Sequence, residues 1–185
     1  TVEPLPNGKR LPTDFNEGAS NNTYSRNQKM VGYSFEHGFN DTFTVRQNLR
    51  FSEMKTSQKS VYGTGIASDG HTLNRGTVVD NERLQNFSVD TQLESKFATG
   101  EVEHTLLTGV DFMRMRNDIN ASFGSAPSID LYNKYHPEYF AFGSAEPYQM
   151  NESKQTGINV QDQAEWNKWV FTLGGRYDWS KQATT

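Results

Sequence analysis

Apolar and polar side chains alternate along six stretches of this chain. Within each stretch the apolar positions lie two or four residues apart, at Val31, Tyr33 and Phe35; Phe43, Val45, Leu49 and Phe51; Phe87, Val89, Leu93 and Phe97; Leu106, Val110 and Phe112; Ile158, Val160, Ala164 and Trp166; and Trp169, Phe171, Leu173, Tyr177 and Trp179. Successive side chains of a strand point to opposite faces of its sheet. The pattern therefore predicts six strands, each with one apolar and one polar face.

The connections between these strands are alternately short and long. Short turns are predicted at residues 37–41, 98–103 and 167–168, whereas two polar segments rich in glycine and aromatic residues occupy positions 57–78 and 124–153. Outer-membrane barrels combine short periplasmic turns with long extracellular loops, and their strands of about ten residues have a two-residue period. We therefore expect an antiparallel transmembrane β-barrel segment in which 57–78 and 124–153 are the extracellular loops.

Composition alone leaves two fold classes open. The chain of 185 residues is 34% apolar and 12% aromatic, and its mean hydropathy is -0.80. These values suit a sheet with one apolar and one wet face, but a soluble β-sandwich with long loops has a similar composition. Aromatic residues at the strand ends favour the barrel, because they match the girdles at membrane interfaces.

Charged residues occupy the polar side of the predicted strands, at Glu36, Arg46, Arg50, Asp90, Glu94, Arg176 and Asp178. Such residues can pair with one another and with water in a barrel lumen. The same Arg facing the lipid midplane would cost about 2–4 kcal/mol. The polar face is therefore expected to look into the lumen.

Several function classes find no support in the sequence. The net charge is -4, the 18 basic residues are dispersed, and there is no cysteine, which argues against a nucleic-acid partner and thiolate metal sites. The four histidines lack metal-ligand spacing, and the adjacent Ser68, Asp69 and His71 lack the separate supports of a catalytic triad. We expect no enzyme activity, no bound metal and no cofactor.

The chain is expected to be an interior piece of a larger barrel. Residues 1–25 are broken by Pro, Gly and Asn and are predicted to be irregular, which leaves six strands. Single-chain outer-membrane barrels begin at about eight strands. An unpaired strand edge is not tolerated in hydrocarbon.

Several runs resemble the barrel of TonB-dependent ferric-siderophore receptors. They include residues 11–18, 30–35, 41–51, 84–93 and 107–112, and the last block runs from Val160-Gln161-Asp162-Gln163 to Gly174-Gly175-Arg176-Tyr177-Asp178-Trp179. The last block is shared widely in this family, whereas the earlier runs are most similar to its ferric-hydroxamate, ferrichrome-type members. The resemblance covers nearly the whole chain and is weakest in the two long segments.

The resemblance implies a barrel of about 22 strands closed by a plug, of which residues 1–185 form about six strands without the plug. It implies an outer-membrane receptor for a ferric hydroxamate siderophore, energised through TonB by way of the plug. Iron enters only as part of that ligand. Lipopolysaccharide and other outer-membrane lipid, and phages or bacteriocins at the loops, are the further partners that it implies.

The resemblance also points to two ligand-binding residues. Tyr62 lies in the run Val61-Tyr62-Gly63, and Phe123 lies shortly after Met115-Arg116-Asn117-Asp118. Aromatic rings offer apolar area, and a Tyr adds a hydroxyl, to a neutral siderophore. Where related receptors have a second Tyr, a Trp and a loop disulfide, this chain has Thr64, Ser122 and no cysteine.

Two other interpretations remain at this stage. One is a porin-like barrel wall without a specific ligand, and the other is a soluble β-sandwich binding module. A porin-like wall would differ from the receptor in having no plug encoded upstream of residue 1. A sandwich would bury inside the protein the apolar face that a barrel presents to lipid.

Overall fold

The computed structural model describes residues 4–133 and 135–185, and its regular structure consists of six strands. They are β1 (Thr23–Gly38), β2 (Phe43–Ile66), β3 (Thr72–Thr99), β4 (Val102–Asp130), β5 (Tyr148–Trp166) and β6 (Trp169–Thr184). The strands form one antiparallel sheet in the order β1-β2-β3-β4-β5-β6. The predicted all-β fold and the number of strands are confirmed. Within the described residues no helix is long and apolar enough to cross a membrane.

The strands are longer than predicted. They contain 16 to 29 residues, and only residues 67–71 and 131–147 lie between β2 and β3 and between β4 and β5. Strand structure therefore extends into both segments that were predicted as extracellular loops, 57–78 and 124–153. The ladder continues where both faces are polar, as where the Ser57 hydroxyl donates to Asn81 Oδ1 at 2.8 Å, and apolar alternation cannot mark such residues. Residues 1–3 and 134, which fall in predicted irregular segments, lie outside the described residues.

The tight turns follow the prediction more closely. Residues 39–42, 100–101 and 167–168 join successive strands. Gly100 and Asn167 adopt φ values of 65° and 51°, the left-handed conformation that two-residue hairpin turns require and that Gly and Asn adopt most readily. In the first turn, Asn40 Oδ1 accepts hydrogen bonds from the backbone N–H groups of Thr42 (2.9 Å) and Phe43 (2.8 Å).

The chain divides into two compact units. Among the described residues, the loop unit contains 4–27, 55–83, 119–133 and 135–149, and the turn unit contains 28–54, 84–118 and 150–185. Among the described residues, the buried hydrophobic side chains all belong to the loop unit, at Leu5, Ala19, Val61, Val79 and Leu131.

The turn unit has no buried apolar interior among its described residues. Its apolar side chains are exposed on one face, as for Leu173 at 81% and Phe171 at 58%, while Val45 and Leu93 are half-buried. In the β5–β6 register, Ile158 pairs with Tyr177 on this face. A β-sandwich would bury these positions against a second sheet, and the described residues contain one sheet.

The opposite face of the turn unit carries ion pairs. The Arg46 guanidinium lies between Glu36 (2.6 Å) and Glu94 (2.7 Å). The Arg176 guanidinium contacts Asp111 (2.8 Å) and Asp178 (2.6 Å). Arg46 and Arg176, which the sequence assigns to this face, are thus each paired with two carboxylates there.

Gly157 provides the space for the second of these ion-pair groups. It lies on β5, between Asp111 on β4 and Arg176 on β6. A Cβ at this position would lie 2.7 Å from Asp111 Oδ2 and 2.6 Å from Asp178 Oδ1, and closer still to Arg176 Nη2. Because Gly157 has no side chain, Arg176 on β6 can reach across β5 and contact Asp111 on β4.

We predict that Gly157→Ala lowers the thermal unfolding midpoint of the full-length protein, because the new methyl group pushes Arg176 away from Asp111. Gly175→Ala is the matched control, since a Cβ there meets nothing within 4 Å. Unfolding in detergent, followed by circular dichroism, compares the two variants. Equal midpoints for both would contradict this role of Gly157.

Candidate functional site

Tyr62 lies on β2 in the loop unit, and its ring covers the backbone of β3. A Cβ built on Gly76 would meet Cζ of Tyr62 at 3.1 Å, its hydroxyl oxygen at 3.2 Å and Cγ2 of Thr64 at 3.0 Å. Tyr62 is 37% exposed. The end of the Tyr62 ring therefore lies close to β3, while part of the side chain remains accessible.

Phe123 lies on β4 and projects from the same face of the sheet. A Cβ on Gly124 would lie 2.9 Å from Oγ1 of Thr77, so Gly124 and Thr77 share one face. Neighbouring residues of a strand alternate, so Phe123 shares the other face with Gly76 and Tyr62. Phe123 is 75% exposed. We call the surface formed by Tyr62, Thr64, Gly76 and Phe123 the aromatic face.

Arg75, whose side chain projects from the opposite face, connects three segments of the loop unit. Its Nε donates to the carbonyl of Pro127 (2.7 Å), and its Nη1 donates to the carbonyl of Glu17 (2.8 Å) and to the Tyr135 hydroxyl (2.7 Å). The guanidinium also lies 4.9 Å from the centre of the Tyr135 ring, within the range of a cation–π contact. Tyr135 in turn donates to the carbonyl of Gly18 at 3.0 Å. We call these five residues the Arg75 cluster.

Two asparagines hold residues 4–22 against the rest of the loop unit. The Asn22 side chain donates to the carbonyl of Val61 (3.0 Å) and accepts from its N–H (2.9 Å). Asn21 makes the same pair of bonds with Phe140 (2.9 and 3.0 Å). Each side-chain amide thus pairs with a backbone N–H and C=O as a neighbouring strand would, and it satisfies backbone groups that the ladder leaves unpaired.

The connection between β2 and β3 is held by Asp69. Its carboxylate accepts from the Thr72 hydroxyl (2.6 Å) and from the backbone N–H groups of His71 and Thr72 (2.9 Å each). These hydrogen bonds, that of the Thr72 hydroxyl foremost, lower the pKa of Asp69 to about 2. His71 Nδ1 lies 3.0 Å from Asp130 and its ring stacks on Tyr132 at 4.3 Å.

The long segment between β4 and β5 combines packed and exposed aromatic residues. Tyr135 belongs to the Arg75 cluster, and Phe140 contacts Phe142 edge-on at 5.1 Å. Tyr139, by contrast, is 78% exposed. Packed and exposed aromatic rings therefore occur together in this segment.

Two of the four histidines have carboxylate partners. His71 contacts Asp130, and His104 Nδ1 lies 2.7 Å from Asp162 while its ring stacks on Phe97 at 5.0 Å. In the described residues no group of three His, Asp or Glu side chains could hold a metal ion. The aromatic face therefore offers contact surface and hydroxyl groups rather than ligands for a bare cation.

Sequence reasoning proposed Tyr62 and Phe123 as site residues and did not point to Gly76, Arg75 or Asn22. The bonds of Arg75 reach residues 52 to 60 positions away, and no local pattern marks such a partner. A glycine inside a polar strand is the one available signal, because it often marks a close approach to the backbone.

These features together define a class of protein. An antiparallel sheet with an exposed apolar face, a self-paired charged face and short turns at alternate connections is a segment of a transmembrane β-barrel wall. A family model described as "TonB dependent receptor-like, beta-barrel" matches residues 2–185. The chain belongs to the β-barrel family of TonB-dependent receptors.

Individual relatives agree with this assignment. The "Ferrichrome outer membrane transporter/phage receptor" of Escherichia coli strain K12 is 64% identical over 207 aligned residues, which cover 98% of this chain and 28% of that protein. The "Ferrioxamine B receptor" of Salmonella typhimurium strain SL1344 is 37% identical over 182 residues, which cover 96% of this chain and 25% of that protein. The chain thus spans about a quarter of the length of these relatives.

Solved structures show the same fold. The pyoverdine outer membrane receptor FpvA from Pseudomonas aeruginosa PAO1 superposes with a TM-score of 0.79 at 16% identity, over 96% of this chain and 27% of that one. The ferric preacinetobactin receptor BauA from Acinetobacter baumannii gives 0.77 at 16% identity, over 99% and 28%.

Family membership confirms three expectations. The chain is part of a bacterial outer-membrane β-barrel, it resembles the siderophore receptors, and its relatives are receptors and transporters rather than enzymes. The soluble β-sandwich and the porin-like wall are not supported.

We predict that Asp69→Asn accelerates hydrogen exchange of the His71 and Thr72 amides several-fold at neutral pH, because the charged acceptor is lost. A lowered pKa stabilises the folded form above the ordinary value of about 4, and this contribution disappears as the pH falls through about 2. Variant and wild type should therefore converge in strong acid. Asp41→Asn, in the first tight turn, is the control, and equal exchange in the Asp69 variant at neutral pH would contradict the assignment.

We predict that Arg75→Ala destabilises the packing of residues 131–147 by about 1–3 kcal/mol, since several hydrogen bonds to a charged group are lost. Arg75→Lys should do nearly the same, because one ammonium cannot reproduce the contacts of the planar guanidinium. Limited chymotrypsin digestion of the full-length receptor measures the effect as faster cleavage in this segment. Arg10→Ala serves as an exposed control, and unchanged cleavage in both Arg75 variants would refute the prediction.

Proposed function

We propose that this chain forms part of the barrel wall of an outer-membrane receptor that binds a ferric hydroxamate siderophore, of the ferrichrome type, and imports it with energy delivered through TonB. The observation that carries the proposal is the 64% identity, over 98% of the chain, to a ferrichrome transporter. The ferrioxamine B receptor at 37% identity supports the same ligand class. The plug that contacts TonB is supplied by other parts of the receptor.

The aromatic face is the share of the ligand site that we assign to this chain. A ferric hydroxamate of the ferrichrome type is compact and carries no net charge, so ion pairs contribute little to its recognition. Tyr62 and Phe123 present exposed rings from one face of three neighbouring strands. Rings of this kind offer large contact area at a low cost in conformational entropy, and the Tyr62 hydroxyl adds a hydrogen-bonding group.

The apolar face continues into a basic cluster that suits the phosphates of outer-membrane lipid. Arg114 and Lys154 both contact Glu152, at 3.0 and 2.6 Å, and Lys154 pairs in register with Lys181. Lys154 and Ile158 lie on the same face of β5, because they are four residues apart. Three positive charges against one negative charge leave a surplus for the anionic headgroups of lipopolysaccharide.

The exposed part of residues 131–147 is the surface we assign to a phage or bacteriocin. Tyr139 is 78% exposed there, and the name of the ferrichrome relative includes a phage-receptor function.

We predict that Tyr62→Ala and Phe123→Ala each weaken ferrichrome binding to the full-length receptor about tenfold or more, because stacking on an aromatic ring contributes on the order of 1–3 kcal/mol. Intrinsic fluorescence quenching by the ferric complex gives the affinity. Phe39→Ala, which removes a ring that is 65% exposed in the first tight turn, is the control. Wild-type affinity in both site variants would remove the aromatic face from the ligand site.

A further inference from the structure

Gly76 lies at the centre of the aromatic face, although its backbone does not require a glycine. It is not among the residues with a positive φ, which among the described glycines are Gly8, Gly65, Gly70 and Gly100. It lies inside β3, where a glycine weakens a strand through its entropy and its missing side chain. Some contact at this position must therefore favour the absence of a side chain.

That contact is with the two residues facing it on β2. The three atoms nearest to a Cβ built on Gly76 belong to Thr64 and Tyr62, and they lie 3.0 to 3.2 Å from it. These distances are shorter than ordinary van der Waals separations of about 3.5–4.0 Å. Gly76 is itself buried, which places the Tyr62 ring directly on the β3 backbone.

We propose that Gly76 is a positioning residue of the ligand site, because its missing side chain lets the end of the Tyr62 ring lie against β3 and thereby sets the shape of the surface that receives the ferric siderophore. This inference rests on the proposed function and deepens it. It assigns specificity to a residue that offers no side chain to the ligand.

The positions of Tyr62 and Phe123 explain why the contact between Tyr62 and Gly76 affects recognition of the siderophore. Tyr62 is 37% exposed, whereas Phe123 is 75% exposed. Tyr62 lies on β2 and Phe123 on β4, so the two residues flank Gly76 on β3. A side chain at position 76 displaces the end of the Tyr62 ring and occupies part of the surface between the two residues, so a compact ferric chelate loses contact with them.

Gly124 offers a matched control on the other face of the same sheet. A Cβ there would meet Thr77 Oγ1 at 2.9 Å, a similar degree of crowding, but away from Tyr62. Both substitutions replace a strand glycine by alanine, so they share the change in backbone entropy. They differ in the face of the sheet that is crowded and in their strand, and Gly124 is exposed whereas Gly76 is buried.

A double-mutant cycle in the full-length receptor tests the proposal, with ferrichrome as the probe and fluorescence quenching as the readout. We expect Gly76→Ala to weaken binding about three- to tenfold, and Gly124→Ala to leave the affinity unchanged. The neighbours of Gly76 are ends of side chains, so the variant is expected to assemble, which thermal unfolding in detergent checks.

The pattern across two backgrounds separates positioning from general destabilisation. In Tyr62→Phe the ring remains, and a Cβ at position 76 still meets Cζ, so Gly76→Ala should retain its effect. In Tyr62→Ala there is no ring to displace, and the effect of Gly76→Ala should vanish. An effect that persists unchanged in Tyr62→Ala, or no effect in the wild-type background, would overturn the proposal.

The outcomes also distinguish this inference from the proposed function. If Tyr62→Ala and Phe123→Ala weaken binding and Gly76→Ala does not, the ligand site is supported and the positioning role of Gly76 is refuted. If none of the three changes the affinity, the assignment of the aromatic face as a ligand site is refuted, and the inference falls with it.

Discussion

The structure depends on one constraint, which is that every backbone N–H and C=O group facing hydrocarbon must find its partner within the protein. A closed antiparallel ladder meets this demand at every position regardless of the side chain. The four strands from β2 to β5 have a neighbour on each side within this chain. The same ladder continues into segments whose side chains are polar on both faces, because backbone groups can also pair with one another in contact with water. Strands of up to 29 residues follow from this, although about ten are enough to cross the bilayer.

The ladder frees the side chains to give the sheet two different faces. In the turn unit, exposed residues such as Leu173 and Phe171 occupy one face, while the other contains carboxylate–arginine–carboxylate groups around Arg46 and Arg176. Exposed ion pairs contribute little to stability. Their consequence here is that each guanidinium already has its partners, so the charged face presents paired rather than free charge.

In the loop unit, one face of the sheet is structural and the other is accessible. The Arg75 cluster and the two asparagines hold residues 4–22 and 131–147 in place through hydrogen bonds to backbone carbonyls. The aromatic face lies on the other side of β3 and keeps Phe123 exposed. Rigid support for an exposed aromatic surface is the arrangement that ligand binding requires, because little conformational entropy remains to be lost on binding.

Some features of this protein follow from local sequence, and others depend on the tertiary structure. The alternation of apolar residues, the tight turn at 167–168 and the polarity of residues such as Arg46 are local properties, so the sequence by itself determined the six strands, their two faces and the short connections. The resemblance of its motifs also selected Tyr62 and Phe123. The full length of β2 and β3, the bonds between Arg75 and Tyr135, and the contact between Tyr62 and Gly76 were decided only by the tertiary structure. Each of them depends on the register between strands. The register brings together residues that are far apart in the chain, and no local sequence pattern indicates that they are partners.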